Sequence, residues 1–167
     1  MQKSVLFKKN LDNISIEHIK RIGPYDMPLY HYHESFEIYY LLSGERNYFI
    51  KDRTYHVKKG NLVLIDAYEL HKTTNVDIDG HERILIEINR NFLEGFNCLV
   101  EDMDILSIFE KEESNVVLLN IKEQSYIENL LFRLIEECKN ELSGFEAILK
   151  ILIMDLLILA NRQLEKW

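Results

Sequence analysis

The sequence predicts a mainly β domain, an antiparallel barrel or sandwich, followed by two long antiparallel helices. Three observations predict it. Between residues 36 and 89, short aromatic and β-branched runs alternate with turn residues, the pattern of hairpin-linked strands. Near residue 90 the grammar changes from alternation to short helical pieces. From residue 121 onward, apolar residues recur at helical spacing in two stretches separated by Ser143-Gly144.

Residues 1–13 read as a polar arm. Ile14, Ile16 and His18 alternate with Ser15 and Glu17, which predicts a short strand. Gly23-Pro24 and Pro28 break the chain into turns. Phe36 to Ser43 reads as a strand buried on at least one face. After the Ser43-Gly44-Glu45 turn, Tyr48 and Ile50 fall on one side of a strand and Asn47 and Phe49 on the other. Lys51-Asp52-Arg53 turns the chain into Thr54 to Val57, and Lys58 to Asn61 turns it into the apolar strand Leu62 to Ile65. Leu70 to Thr74 and Arg83 to Asn89 complete the set; in the second, Ile84, Ile86 and Ile88 alternate with Arg83, Leu85 and Glu87. Asn91 to Leu93 and Met103 to Phe109 read as short helical pieces, and Val116 to Leu119 as an extra strand.

The first long helix is expected over residues 121–142, with Ile127, Leu130, Leu131, Leu134, Ile135 and Cys138 on its apolar face and Ser143-Gly144 ending it. The second is expected over residues 145–165 and carries two stripes. One is Leu149, Leu152, Leu156 and Leu159; the other is Ile151, Met154, Leu157 and Ile158. A helix packed only on its own domain needs one stripe, so the expectation is a homodimer, with Leu149, Leu152, Leu156 and Leu159 at its interface.

The 167 residues bound the chain to one compact domain, an arm and barrel over residues 1–90 and a connection and helical segment over 91–167. Net charge is -8, and no predicted helix carries a basic stripe, so this chain by itself is a poor binder of nucleic acid. Cys98 and Cys138 lie apart, in no paired motif, and read as buried free thiols in a reducing compartment. The first ten residues lack the features of a signal peptide, and the apolar run Ile151 to Ala160 is short and interrupted by Asp155. The expectation is a cytoplasmic protein with no membrane partner.

The chemistry concentrates in His31-Tyr32-His33-Glu34-Ser35-Phe36-Glu37. In an extended chain, positions two and six apart face the same way, so His31, His33 and Glu37 can enter one cavity. His71 can approach from a neighbouring strand. Three imidazoles and a carboxylate suit Zn, Ni, Fe or Mn with positions left open. The same groups equally suit contact with an organic ligand, or mutual hydrogen bonding alone. Tyr39 and Tyr48 join them as candidate ligand-binding residues, since rings beside polar groups suit sugars and other amphipathic ligands. Tyr39 and Tyr40 face opposite ways. His18 is a lesser candidate to line the pocket through the arm, His56 reads as strand surface, and His81, in Asp79-Gly80-His81, as a loop residue.

The spacing His31-x-His33-x3-Glu37-x6-Gly44 resembles the first cupin motif, and Gly60, His71 and Asn75 sit where the second places its glycine, histidine and asparagine. The second motif's central Pro and Gly are replaced by Asp66 and Tyr68. More narrowly, the run from His31 through KKGNLVLIDA, ELH and ERILIEINRNFL to the two helices resembles the sensing half of AraC-type transcription regulators. That resemblance implies a cupin barrel that binds a small-molecule effector, an N-terminal arm near it, a dimerising helical pair and no enzymatic activity. It implies contact with DNA only through a helix-turn-helix module beyond this chain, which stops at Trp167 where a linker would begin. The alternatives are a metal-dependent cupin enzyme, such as a dioxygenase or isomerase, and a stand-alone sugar-binding cupin.

Overall fold

The computed structural model describes residues 2–76, 79–97, 99–100, 103–110 and 115–166. Strands β1 (Gln2–Asn10), β2 (Ile14–Ile22), β3 (Phe36–Ser43), β4 (Glu45–Ile50), β5 (Arg53–Lys58), β6 (Leu62–Ile65), β7 (His71–Asn75) and β8 (Gly80–Ile88) come first. Helix α1 (Arg90–Asn97), a 3-10 turn (Leu106–Ile108), strand β9 (Val116–Val117) and helices α2 (Ile121–Asn140) and α3 (Phe145–Leu164) follow. One sheet has the order β1-β2-β8-β3-β6-β9 and the other β5-β4-β7. Residues 27–31 line the free side of β7: Met27 N–H donates to Thr73 O (3.0 Å), and His31 and His71 exchange a bridge pair. β2-β8-β3-β6 facing β5-β4-β7 plus this segment is an eight-strand jelly-roll order, as a cupin barrel requires.

The central strands of the larger sheet are buried on both faces, and their alternation sorts the residues. Phe36, Ile38, Tyr40, Ile84, Ile86 and Ile88 face the helices and join one core with Ile127, Leu131, Leu134, Leu152 and Leu156. Tyr39, Leu41, Tyr48, Ile50, Val63 and Ile65 form the second core, between the sheets. β3 belongs to both.

Helix α2 starts in a reciprocal cap. The Asn120 side chain accepts from the N–H of Lys122 and Glu123, and Glu123 accepts from Asn120 N–H. Such caps contribute about 1 kcal/mol. The helix ends two residues earlier than the sequence suggests. Glu141 takes the left-handed conformation at its end, and Gly144 (φ +85°) starts α3 instead.

Two expectations need correcting. The polar arm is, over Gln2–Asn10, an edge strand: β1 pairs with β2 from Ser15 to Ile22. Its side chains are mostly exposed, so it shows no hydrophobic period, and its lysines suit an edge that must not recruit other strands. The stripe assigned to a dimer is also used internally. Leu149, Leu152 and Leu156 are at most 2% exposed within one chain, and Leu159 is partly covered by the same core. The barrel and α2 occupy this stripe. The large apolar residue α3 leaves exposed is Ile151, 60% exposed, with Met154 and Ile158 partly exposed on the same helix.

Leu156→Ala is therefore expected to lower unfolding free energy by about 2–5 kcal/mol through a core cavity, and Ile151→Ala to change it by less than about 0.5 kcal/mol. Urea denaturation of both variants checks the assignment; equal losses would overturn it.

Candidate functional site

Strand register builds a cavity in layers. Glu37 pairs with Glu87, Tyr39 with Leu85, and Leu41 with Arg83 across β3 and β8. Across β4 and β7, Ile50 pairs with His71, Tyr48 with Thr73, and Arg46 with Asn75. Arg21 of β2 pairs with His81 of β8. The inward side chains therefore stack as an imidazole and carboxylate end, a tyrosine middle, and an arginine end. They surround a cavity of about 190 Å³. It is smaller than the ~300–1,000 Å³ of sites for drug-sized ligands, so its occupant is small.

At the first end the structure unites the four predicted groups. The His31 and His71 rings lie 4.2 Å apart between centroids, and those of His33 and His71 5.1 Å. Candidate ligand atoms of His31, His33 and His71 fall within 4.8 Å of one another, as do those of His33, Glu37 and Glu87. Two orienting bonds select the ring atoms. His33 Nδ1 lies 2.7 Å from Ser35 O and His71 Nδ1 2.8 Å from Glu69 O. A carbonyl only accepts, so each Nδ1 carries the proton. Each neutral ring then turns an Nε2 lone pair towards Glu37 Oε2, at 3.1 Å for His33 and 3.6 Å for His71. Acceptors facing an acceptor are resolved by ring protonation or by a cation. His71 Nε2 and His31 Nδ1 are buried and have no hydrogen-bond partner among the described residues. Backbone-oriented imidazoles with free ring nitrogens and a carboxylate fit a divalent transition ion.

Glu37 is 4% exposed, and Tyr48 Oη donates to its Oε1 at 2.9 Å. Burial alone would raise its pKa; the His33 hydrogen bond and the neighbouring His71 ring outweigh that and hold it well below the usual carboxylate range. The bond to Glu37 raises His33, against the pull of burial. Burial, reinforced by His71, lowers His31. Glu37 does not pair with Arg46, which donates to Tyr25 O and Thr73 Oγ1.

In the turn before His71, Tyr68 stands where the second cupin motif has glycine. Tyr68 adopts φ +64°, and its N–H donates to His33 O at 2.7 Å. This bond ties the two motif segments together.

The opposite end was missed by sequence reasoning. His81 is a buried strand residue facing the cavity, not a loop residue. Gly80 makes this possible: at φ +99° it passes so close to Arg21 O that a Cβ would clash at 2.1 Å. Arg21, Tyr25, Met27, Thr73, Arg83 and Glu87 line the cavity too. Burial, with Arg46, Arg21 and Arg83 nearby, pushes the His81 ring down to about 3, so it is neutral. Tyr39 is pushed up to about 12 by burial and stays a protonated donor. The one legible signal was the polar face of β8, read only as the complement of its isoleucines.

The other candidates fall outside the cavity. His18 faces the helices, bonded to Glu82 (2.9 Å) and edge-on to Phe132. His56 pairs with Glu45 on the surface. Tyr30, Tyr32 and Tyr68 are exposed, and Tyr55 donates to Asn115. Cys138 is a buried free thiol, and Cys98 lies outside the described residues. No helix among the described residues is long and apolar enough to cross a membrane.

The family described as the AraC-like ligand binding domain matches residues 13–157. Comparison with curated proteins returns no match. Solved structures of similar fold include an RmlC-like cupin family protein with a double-stranded β-helix fold from Methanocaldococcus jannaschii (24% identity, TM-score 0.47, covering 53% of this chain and 81% of that one). A cupin superfamily protein from Desulfitobacterium hafniense aligns at 12% identity (TM-score 0.46, 53% and 76%). DMSP lyase DddQ from Ruegeria pomeroyi aligns at 18% identity (TM-score 0.43, 48% and 40%).

Tyr48→Phe removes the hydroxyl that donates to a buried charged carboxylate. The expected loss is about 1.5–3 kcal/mol of unfolding free energy by urea titration; a loss under about 0.5 kcal/mol would show that Glu37 does not depend on it.

Proposed function

Because the chain belongs to the AraC-like ligand binding domain family, we propose that it is the effector-sensing and dimerisation unit of a transcription regulator, working in the cytoplasm and contacting DNA through a separate module. One observation carries the sensing role. Buried atoms of six side chains, Arg21 Nε, His31 Nδ1, Tyr39 Oη, His71 Nε2, His81 Nδ1 and Arg83 Nη1, line one cavity with no partner among the described residues. Unpartnered buried polar atoms cost about 1–3 kcal/mol each, so a site that gathers them is built to receive a polar ligand.

Sensing requires that the effector bind one arrangement of the domain better than another. β3 is the element placed to report it, with Tyr39 in the cavity and Tyr40 donating to Glu128 of α2 at 3.0 Å. A divalent transition ion held by His31, His33, His71 and Glu37 would supply a Lewis-acidic anchor for an oxygen of the ligand. Dimerisation is assigned to the outer face of α3 around Ile151, which stays exposed after the leucine stripe is buried. The domain binds its ligand without turning it over; turnover by the metal-loaded protein would favour the cupin-enzyme reading instead.

Purified protein is expected to hold one transition ion per chain by elemental analysis, and His33→Ala and His71→Ala to lose it. Unchanged metal content in both would refute the ligand set. In sedimentation, Ile151→Asp is expected to convert dimer to monomer without lowering thermal stability. A dimer of unchanged strength would refute that face. A thermal-shift screen of small polar molecules tests sensing itself, since a ligand at 100 times its Kd adds about 2.7 kcal/mol of stability.

A further inference from the structure

At the end of the cavity away from His31, His33 and His71, Arg21 and Arg83 line the wall around His81, and Arg46 lies beside them. Arg21 stacks 3.7 Å from the centre of the Tyr25 ring, and Arg46 lies 5.7 Å from the same ring. Arg46 is 1% exposed and spends its two terminal nitrogens on neutral acceptors, Tyr25 O and Thr73 Oγ1. Among the described residues neither Arg21 nor Arg46 pairs with a carboxylate. Arg83 does, through Nη2 to Glu17 Oε2 at 2.6 Å. That one carboxylate is also shared with Lys3 and Lys8, each at 3.7 Å. The arginine end therefore carries surplus positive charge.

It also carries open donors. Arg21 Nε, Arg46 Nε and Arg83 Nη1 are buried and unpartnered, with the Tyr39 hydroxyl next along the cavity. Guanidinium groups gathered with fewer carboxylates than cations repel one another and lose hydration, a cost that a bound anion reverses. A protein needing only a filled interior would have apolar side chains there.

We propose that the cavity binds a small organic carboxylate, with its carboxylate held by Arg21 and Arg83 and its far end directed to His31, His33 and His71. Length supports this orientation. Arg83 and Glu87 lie four residues apart on β8, about 13 Å at ~3.4 Å per residue. A lone inorganic anion would satisfy one end and leave the other unmet. Charge sets polarity: Glu37 and Glu87 repel an anion at the histidine end, and they disfavour the second negative charge of a phosphate ester. Tyr39, Tyr48 and Thr73 lie between, suited to hydroxyl groups along the molecule.

This assignment rests on the sensing reading, and the test separates the two. Calorimetric titrations at fixed ionic strength would compare galacturonate with galactose, glucuronate with glucose and glycerate with glycerol, with glucose 6-phosphate as the phosphate probe. At least one acid is expected to bind tenfold or more tightly than its neutral parent. Arg21→Gln is expected to weaken that acid at least tenfold more than it weakens the neutral parent. The wild-type comparison of acid and parent stands even if the variant fails to fold. Equal binding of acid and parent, stronger binding of the phosphate, or an acid affinity untouched by Arg21→Gln overturns the carboxylate assignment and leaves sensing intact. Absence of binding by every probe overturns the carboxylate assignment, and sensing falls with it only if the broader thermal-shift screen is also blank.

Discussion

A carboxylate buried between two sheets must be surrounded by donors or be neutralised, and the barrel is arranged around meeting that demand at Glu37. Tyr48 from β4, His33 from the chain entering β3, and His71 from β7 all converge on it. Each comes from a different element, so closing the barrel and satisfying this charge are one event. Remove the convergence and a charged group sits in the interior, where desolvation costs several kcal/mol. The backbone carbonyls of Ser35 and Glu69 complete the arrangement by fixing which imidazole nitrogen faces inward.

Charge is segregated along the cavity, not balanced within each layer. Carboxylates and three imidazoles occupy one end, arginines and the His81 ring the other, and hydroxyls the space between. Antiparallel register produces this without special geometry, because every second residue of β8, from His81 to Glu87, is delivered to the same wall. A ligand in such a gradient has one favourable orientation.

The histidine end was legible because its logic is local. His31, His33 and Glu37 lie within seven residues, and their spacing, with Gly44 and His71, is a family signature as well as a geometric one. The arginine end was illegible because Arg21, Arg46 and Arg83 come from three strands whose adjacency depends on the closed barrel. His81 was misread for a nearer reason: Asp79-Gly80-His81 looks like a turn, yet Gly80 at φ +99° carries the chain directly into β8. The edge strand β1 escaped notice because exposed side chains carry no period. The existence of the two long helices and the apolar face of α2 were readable since one amphipathic period governs them; the residue at which α2 ends was not. The leucine stripe of α3 was readable as apolar, but apolar character alone does not say which neighbour covers it.

β3 has side chains committed on both faces, Tyr39 to the cavity and Tyr40 to Glu128. Adjacent residues on one rigid ribbon share its rotation. A few degrees of twist imposed from inside the barrel must swing the outward phenol by the same angle. The sheet is thus a diaphragm one residue thick, and the helical layer resting on it is the surface that would register its movement.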